Sequence, residues 1–201
     1  MRAIRGSRIG FIFQDPMTSL NPLFTVEHQL VETILANTKL SREAAFAKAL
    51  ELMGAVGIPQ PELRIKQYPH QFSGGMRQRV VIAIALSCDP ELIIADEPTT
   101  ALDVSIQDQI LQLIRALCKE RQVGCMLVTH DMGVVSNVTD KVAVMYRGDL
   151  VEFGLTEQVL GSPNHPYTRS LISAVPRSDG KLVRFPAGLL YRGCECAGYQ
   201  Y

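Results

Sequence analysis

Two adjacent carboxylates, Asp96 and Glu97, follow an apolar run, Leu92–Ala95, that predicts a buried strand. Bare carboxylates at the end of a buried strand are costly unless solvent or a divalent cation meets them. In enzymes that hydrolyse nucleotides, the first acid of such a pair holds Mg2+, usually through water, and the second polarises the attacking water. The pair therefore indicates nucleotide hydrolysis, although an ordinary acidic strand end has the same sequence.

A second candidate is the segment Phe72–Arg79, which contains two glycines at the start of a predicted helix. Each glycine there costs roughly 1 kcal/mol against alanine. Gly74 and Gly75 would let a ligand approach the backbone, and the N–H groups and dipole of a helix start favour a phosphate, with the Ser73 hydroxyl as a further donor. The segment indicates a phosphate contact, while a flexible capping turn also explains it when it is taken alone.

Three single residues complete the candidate set. His130 follows an apolar run at the place where ligands meet a parallel sheet, and Gln14 ends another such run. Asp103 precedes a predicted helix, where it also fits an ordinary N-cap. Each of the three is a weak signal by itself, because polar residues at strand ends and helix starts are common in structural roles.

The elements that position these residues follow from the spacing of apolar residues. Leu92–Ala95 and Cys125–Val128 flank an amphipathic pattern over Ser105–Glu120, which predicts a β-α-β unit with parallel strands. Ile9–Phe13 predicts a further strand, and two β-prone runs on either side of Arg147–Asp149 predict a hairpin. Ligands gather at the carboxyl ends of parallel strands, so the acid pair and His130 are expected at that edge.

Helical spacing dominates the segment between the first strand and the β-α-β unit. Val26–Leu40 and Ser41–Val56 predict two helices, the second with its first residue as N-cap, and a third helix begins after Ser73 and stops before Pro90. The sequence therefore predicts an α/β fold in which a parallel sheet carries an all-helical insert.

Composition excludes several classes of protein. The 201 residues are 47% hydrophobic and 20% charged, which fits a globular unit and excludes disorder or a fibre. Lys plus Arg and Asp plus Glu number 20 each, so no global positive field favours nucleic acid. The longest apolar run, Val80–Leu86, is too short for a membrane span. Five cysteines without a repeating spacing indicate a reducing compartment.

Taken in order, the candidate elements resemble the ATP-binding cassette (ABC) ATPases, over about residues 9–153. The matches are the Q-loop at Gln14, the signature motif at Ser73, Gly74 and Gly75, the Walker B acids Asp96 and Glu97, the D-loop at Asp103 and the switch histidine at His130. The resemblance implies a partial P-loop NTPase (RecA-like) parallel sheet with an inserted all-helical signature subdomain. Met76 departs from the glutamine that is common in the signature, a departure frequent in one branch of the family.

That branch is the dipeptide and oligopeptide importer ATPases. The segment Phe13–Pro22, which reads Phe-Gln-Asp-Pro-Met-Thr-Ser-Leu-Asn-Pro, resembles it specifically. Pro98–Asp103 and Asn164–Thr168 are similar to the same branch. The resemblance implies import of peptides or similar small solutes.

The resemblance also implies ATP and Mg2+ as cofactors and assigns roles to single residues. Glu97 would be the general base, and His130 would hold the γ-phosphate and the attacking water. Asp96 would position Mg2+, while Gln14 would touch the metal and relay the nucleotide state.

Other implied roles reach across a dimer of two ATPase subunits, identical or different. Ser73, Gly74, Gly75 and Gln78 would bind the nucleotide held by the partner, and Asp103 would act across the same interface. The pair would dock at the cytoplasmic face of the membrane beneath two transmembrane permease subunits, served indirectly by a solute-binding protein and with no nucleic-acid partner. The region 14–40 would accept a permease helix.

One family motif is missing from these residues. No Gly-x-x-x-x-Gly-Lys-Ser/Thr, the Walker A loop that cradles phosphates, occurs in the chain. The expectation is an N-terminally truncated ATPase, or a mis-started or decayed reading frame. The expected parts are a core remnant with the Q-loop over residues 1–25, the helical subdomain over 26–90, the Walker B core over 91–153 and a C-terminal extension over 154–201. Cys194 and Cys196 in that extension are too few for a four-ligand metal site.

Two other functions remain open from the sequence. A catalytically incompetent remnant that at most completes a partner's site fits the missing Walker A loop. A cassette ATPase acting on nucleic acid or the ribosome would be expected to carry a second cassette, a long coiled coil or a basic extension, and the sequence contains none of these. Whether this chain itself hydrolyses ATP stays open.

Overall fold

A computed structural model describes residue 4, residues 6–100 and residues 102–174. The chain divides into two units, with the boundary between Val128 and Thr129. The expected C-terminal extension lies outside the described residues from position 175 onward, and Cys194 and Cys196 lie there with it.

A three-stranded parallel sheet organises the first unit. Its strands are β1 (Ile9–Ile12), β2 (Leu92–Asp96) and β3 (Gly124–Val128), with β2 in the centre. Ile12 pairs with Ala95, and Ala95 pairs with Leu127, so the three strands end at nearly the same level. The α/β fold class and the parallel β-α-β unit expected from the sequence are confirmed.

The two faces of this sheet differ in burial. Ile12, Ile93 and Ala95 are buried on one face, where the helices pack. On the other face, Phe11 in β1 and Met126 in β3 are 40% and 52% exposed. Parallel sheets are usually covered on both faces, so this sheet exposes an apolar surface that is unusual for its class.

Helices fill the chain between β1 and β2. They are α1 (Pro16–Ser19), α2 (Val26–Asn37), α3 (Arg42–Ala55), α4 (Pro61–Arg64), a 3-10 turn (Pro69–Gln71) and α5 (Gly74–Leu86). The N-cap expected at Ser41 is confirmed, because its hydroxyl accepts a hydrogen bond from the Ala44 N–H at 3.2 Å. The second predicted helix therefore forms with the start that its sequence indicates. The sequence reasoning missed α1, α4 and the 3-10 turn, which are too short to show a helical period.

Close packing holds α5 against β1. A Cβ atom added to Gly10 would lie 2.4 Å from the Ala85 carbonyl oxygen, a distance that no real Cβ keeps. Glycine at this position therefore lets the signature helix lie directly on the first strand, and the core of the unit forms around that contact.

The helix α6 (Val104–Glu120) joins β2 to β3. Ile110, Ile114 and Leu117 recur at helical spacing and are buried in the core of the first unit. The helix ends in a tight turn where Gln122 adopts a left-handed φ of 55°.

The second unit contains a hairpin and three short helices. Its elements are α7 (Met132–Val138), β4 (Lys141–Tyr146), β5 (Asp149–Leu155), α8 (Thr156–Gly161) and α9 (Pro166–Ser173). Strands β4 and β5 pair antiparallel, and the turn residues Arg147 and Gly148 both have positive φ, as a two-residue hairpin turn requires. The predicted hairpin is confirmed. None of the helices in the described residues is long and apolar enough to span a membrane.

Candidate functional site

Two of the predicted site residues meet at the carboxyl edge of the sheet. Gln14 follows the end of β1 and Glu97 follows the end of β2, and these strands are parallel neighbours. The Gln14 side-chain nitrogen Nε2 donates a hydrogen bond to Glu97 Oε2 at 3.0 Å. The structure therefore brings the expected Q-loop residue and the expected general base into direct contact.

The backbone at Glu97 is held in an unfavourable conformation. Its φ is 45°, in the left-handed region that side chains other than glycine rarely adopt. The Glu97 N–H donates to the Val128 carbonyl at 2.9 Å, which ties this turn to the end of β3. Such conformations persist where the surroundings over-determine them, and they cluster at functional sites.

Thr100 is a site residue that sequence reasoning missed. Its hydroxyl Oγ1 donates a hydrogen bond to Glu97 Oε2 at 2.9 Å, so one carboxylate oxygen accepts from both Thr100 and Gln14. The sequence offers one signal for Thr100. It is a hydroxyl residue three positions after the acid at the end of a strand, where the chain turns back.

Asp96, the other half of the acid pair, is the last residue of β2 and is exposed. It pairs in register with Val128 on β3. Its carboxylate is therefore at the sheet edge beside Glu97, where solvent or a cation can reach it.

The signature segment forms the start of α5 as expected. Ser73 is the N-cap, and its hydroxyl accepts from the Met76 N–H at 3.3 Å. Gly74 and Gly75 are the first two helical residues, so their N–H groups belong to the donors of a helix start that no carbonyl within the helix can satisfy.

The glycines also set the distance between α5 and α6. A Cβ on Gly75 would lie 2.9 Å from the Ile106 side chain, and one on Gly74 would lie 3.5 Å from that of Leu102. The signature glycines therefore lie against the D-loop end of α6 in the same chain. Any larger residue at position 75 would push the two helices apart.

Asp103 occupies the N-cap position of α6, yet its side chain makes no capping hydrogen bond. Its backbone carbonyl accepts from the N–H groups of Ile106 and Gln107, both at 2.9 Å. The side chain is exposed. The carboxylate is therefore not used by the helix that it precedes.

The position of Gln78 does not fit the nucleotide contact that was expected for it from the sequence. Its side chain is 0% exposed on α5, and neither amide atom has a hydrogen-bond partner. A buried amide without partners is costly, and contact with a ligand would require this side chain to leave the helix interface. Gln78 therefore differs from the exposed signature residues at the start of the same helix.

His130 belongs to the second unit, where it is exposed just before α7. The neighbouring Asp131 caps that helix through Oδ1, which accepts from the Gly133 N–H at 2.8 Å. The helix cap is therefore supplied by Asp131, and the imidazole of His130 is not required for it.

The segment Asn164–Thr168 is anchored to β5 in the second unit. The Glu152 carboxylate accepts from the Asn164 N–H at 2.8 Å and from the His165 N–H at 3.2 Å. Burial raises the pKa of Glu152, but the hydrogen-bond donors around the carboxylate, first of them the Asn164 N–H, together with the nearby His165 outweigh it, and the pKa lies below its ordinary value. Glu152 therefore fixes the start of α9.

The residues present fit an ATP site in part. In the described residues, no group of three or more His, Cys, Asp or Glu side chains is arranged to hold a metal ion. Mg2+, however, keeps several waters and is usually held by one or two protein oxygens plus phosphates, so Asp96 and the Gln14 amide oxygen fit it. The phosphate cradle is not among these 201 residues, because they contain no Walker A motif.

Family comparisons agree with the motifs. The ABC transporter family matches residues 1–100, and the family described as oligopeptide/dipeptide transporter, C-terminal region, matches residues 151–187. Asp103 and His130 lie outside both matched ranges.

Curated relatives extend the match over most of the chain. The dipeptide transport ATP-binding protein DppD of Bacillus subtilis is 55% identical over 179 residues, which are 89% of this chain and 53% of that protein. The glutathione import ATP-binding protein GsiA of Escherichia coli K12 is 55% identical over 177 residues, 88% of this chain and 28% of that protein. The chain spans about half the length, or less, of these relatives.

Solved structures share the fold. The dimeric ATP-binding cassette MJ0796, in a post-hydrolysis state bound to ADP and Pi, is 30% identical with a TM-score of 0.66, over 77% of this chain and 66% of that one. The structure of cbiO1 from Clostridium perfringens, part of the transporter complex cbiONQ, has 30% identity and a TM-score of 0.69, over 79% of this chain and 61% of that one. The chain therefore belongs to the ABC transporter ATPase family, in the branch that carries the oligopeptide/dipeptide transporter C-terminal region.

Proposed function

We propose that this chain acts as the ATP-binding and ATP-hydrolysing subunit of an importer for dipeptides, oligopeptides or similar small solutes. The observation that carries the proposal is the hydrogen bond between Gln14 and Glu97 at the sheet edge. This hydrogen bond joins Gln14, which would relay the nucleotide state to the permease, to Glu97, which would activate water. A change in the contacts of either side chain would therefore alter the position of the other.

Glu97 is the general base in this proposal. Its carboxylate oxygen Oε2 accepts from Gln14 and Thr100, and its backbone N–H donates to the Val128 carbonyl, so the carboxylate is held in one orientation at the sheet edge. A positioned base of this kind typically contributes about 10²- to 10⁴-fold to a rate. His130 would hold the attacking water and the γ-phosphate.

Asp96 and Gln14 Oε1 are the oxygens that would hold Mg2+ in this proposal. The ion, when bound with ATP, neutralises charge on the phosphates and helps to orient them. Asp96 would act through a bound water, and Gln14 would report the state of the nucleotide by exchanging its contacts. The four parts expected from the sequence, residues 1–25, 26–90, 91–153 and 154–201, are retained in this proposal.

The start of α5 would serve a nucleotide held by a second ATPase subunit, identical or different. The N–H groups of Gly74 and Gly75 and the Ser73 hydroxyl are donors at the positive end of a helix dipole, which suits phosphate oxygens. Asp103, exposed beside them, would act across the same interface. Gln78 is buried, so it would stabilise the packing of α5 and not contact the nucleotide directly.

The pair of ATPase subunits would dock from the cytoplasmic side beneath two membrane permease subunits. The segment 14–40 supports this assignment, because it exposes Met17, Leu23 and Phe24 to solvent, with Leu23 79% exposed. Met17 lies on α1, and Leu23 and Phe24 lie in the turn before α2. Exposed apolar side chains of this kind suit a permease helix. The named relatives are a dipeptide transport and a glutathione import ATP-binding protein, and the C-terminal family match is to oligopeptide/dipeptide transporters. Peptides delivered by a solute-binding protein are therefore the proposed cargo.

A second candidate function follows from the missing Walker A motif. In it, the chain does not hydrolyse ATP by its own site and only completes the site of a full-length partner through Ser73, Gly74 and Gly75. The neutral balance of charge disfavours the third function, an ATPase acting on nucleic acid.

Turnover by the purified chain distinguishes the first two candidates. We would measure Mg2+-dependent ATP hydrolysis by the chain alone and with the permease complex, together with the variants Glu97→Gln and Glu62→Gln. Glu62 is an exposed glutamate on α4 and serves as the matched control. Hydrolysis that Glu97→Gln abolishes and Glu62→Gln retains supports the proposal, whereas hydrolysis that survives Glu97→Gln contradicts it.

A complementation experiment tests the second candidate. The full-length Bacillus subtilis dipeptide relative would be made inactive by replacing its own signature serine with arginine, and this chain would be added. Restored hydrolysis would assign the signature role to this chain, provided that Ser73→Arg loses the rescue. The control Ser136→Arg, at an exposed serine on α7, should keep it.

A further inference from the structure

Two cysteines that the proposed ATP site does not use lie together at the far end of α6. Cys118 is in the last turn of this helix and Cys125 is in β3. The helix has 17 residues and is therefore about 25 Å long, so the pair is remote from Asp103 at its start. Both thiols are free.

The two side chains occupy the same side of the sheet. Cys125 pairs in register with Ile93, which is buried on the face that the helices cover. Neighbouring residues in register point to the same face of a sheet, so Cys125 points toward α6. Cys118, in the last turn of α6, is buried in the core of the first unit, and its thiol is near enough to that of Cys125 for the two to influence each other's pKa.

The connection between the two cysteines is short and fixed by backbone hydrogen bonds. The Val123 N–H donates to the Cys118 carbonyl at 2.9 Å, and the Gly124 N–H donates to the Glu91 carbonyl at 3.0 Å. Gln122 turns the chain with its left-handed φ. The turn between α6 and β3, together with the pairing of β3 with β2, therefore keeps the two cysteines close to each other.

The two thiols differ in exposure and in acidity. Cys125 is exposed, whereas Cys118 is 6% exposed. The hydrogen bond from Cys118 lowers the pKa of the Cys125 thiol, and the same contact, followed by burial, raises the pKa of Cys118. An accessible thiolate beside a buried thiol is the arrangement of an attacking cysteine and its resolving partner.

We propose that Cys118 and Cys125 form a redox site that small-molecule disulfides of the glutathione class oxidise to an intramolecular disulfide. The Cys125 thiolate attacks one sulfur of the small disulfide, forms a mixed disulfide and releases one small thiolate, which takes up a proton. Cys118 then loses its proton and attacks the Cys125 sulfur, which forms the Cys118–Cys125 bond and releases the second small thiol. Two cysteine thiols are oxidised, and one small disulfide is reduced to two thiols.

The disulfide would join the end of α6 to β3 within the first unit. A cross-link of this kind removes freedom from the unfolded chain and stabilises the fold. Because the site is remote from the start of α6, oxidation is expected to stabilise the unit without altering the residues at the sheet edge. Reduction by excess thiol would reverse it.

Peptide mapping of the full chain tests the proposal. The chain would be incubated with oxidised glutathione, alkylated, digested with trypsin and analysed without reduction. We expect one cross-link between residues 116–119 and residues 122–141, which trypsin releases as separate peptides. Oxidation should also raise the midpoint of thermal unfolding by about 5 °C, and dithiothreitol should reverse both effects.

Three variants control the assignment. Cys118→Ser and Cys125→Ser should each lose the cross-link and the thermal shift. Cys88→Ser should retain both, because Cys88 lies in another tryptic peptide and burial raises the pKa of its thiol. If a variant fails to fold, the mapping of the unmodified chain still decides the matter. Separate glutathione adducts on Cys118 and Cys125, disulfides only within residues 193–201, or thiols left unreacted would overturn the proposal.

Discussion

Two half-buried glutamates, Glu97 and Glu152, accept hydrogen bonds from different kinds of donor. Glu97 accepts from two side chains, Gln14 and Thr100, on a backbone with a left-handed φ. Glu152 accepts from backbone N–H groups, those of Asn164 and His165, on strand β5, next to an irregularity in the register of the hairpin. Each carboxylate accepts more than one hydrogen bond, so hydrogen bonding by itself does not distinguish the two glutamates.

The difference lies in what the hydrogen bonds stabilise. The donors to Glu152 start a helix, so this carboxylate contributes to the fold of the second unit. The donors to Glu97 belong to side chains that could change their contacts, and its backbone is in a costly conformation. In the proposed function Glu97 serves chemistry and Glu152 serves stability, and the following predictions test that division.

The largest expected effect is on turnover. In an active complex, Glu97→Gln should lower ATP hydrolysis by about 10²-fold or more, because a neutral amide cannot accept the proton of water. Glu152→Gln should leave the rate within about twofold, since residues that serve only packing rarely alter a chemical step. Steady-state hydrolysis by both variants measures the contrast. Equal losses in the two variants would remove the distinction between the glutamates.

The second effect is on the stability of the second unit and its dependence on pH. Glu152→Gln should lower the free energy of unfolding by about 1 kcal/mol at neutral pH, because the hydrogen bonds to a charged acceptor are lost. The folded-state pKa of Glu152 is lowered, so its stabilisation is fully present above the unfolded value of about 4.3 and is lost as the pH falls through the folded-state pKa.

Urea unfolding between neutral and acidic pH measures this effect. The difference between the original chain and Glu152→Gln should be largest near neutral pH and should shrink below about pH 4. A difference that grows on acidification would contradict the account of Glu152.

A third prediction concerns the backbone at Glu97. Glu97→Gly should raise the free energy of unfolding of the first unit by about 1 kcal/mol, because glycine adopts a left-handed φ without steric cost. The same variant should abolish turnover. Glu152 lies within strand β5, where glycine weakens a strand, so Glu152→Gly should instead destabilise the second unit and is the matched control. Chemical unfolding of the two variants would reveal opposite signs.

The smallest effect is expected at Thr100. Thr100→Ala should lower turnover by roughly fivefold, since loss of one hydrogen bond of about 1 kcal/mol leaves Glu97 less well oriented. Thr100→Ser keeps the hydroxyl and should restore most of the rate. If Ser and Ala behave alike, the hydroxyl does not position Glu97.

Much of the fold was predictable from periodicity. The apolar runs at Leu92–Ala95 and Cys125–Val128, with the amphipathic segment between them, form the parallel β-α-β unit. The helix α2 ends at Asn37 rather than at Leu40, because Thr38 leaves the helical conformation and caps the end of the helix through its N–H. Short elements such as α1 and α4 were missed because four residues cannot show a helical period.

The site was predictable only as a set of residue types. The acid pair and Gln14 follow strands whose ends a parallel sheet brings together, so their meeting could be expected. The bond from Thr100 and the left-handed φ of Glu97 depend on how the chain turns after β2, which periodicity does not encode. The burial of Gln78 was missed because its neighbours on α5 in sequence are charged or polar.

The most direct test of the central claim uses Fe2+ in place of Mg2+. Iron bound with ATP generates radicals that cleave the backbone close to the metal, and the fragments are mapped by mass spectrometry. The account predicts ATP-dependent cleavage at Gln14 and at Asp96–Glu97 that is lost in Asp96→Asn and kept in Asp108→Asn, at an exposed acid on α6. Cleavage elsewhere, or cleavage that does not depend on ATP, would show that these residues do not surround a metal-bound triphosphate.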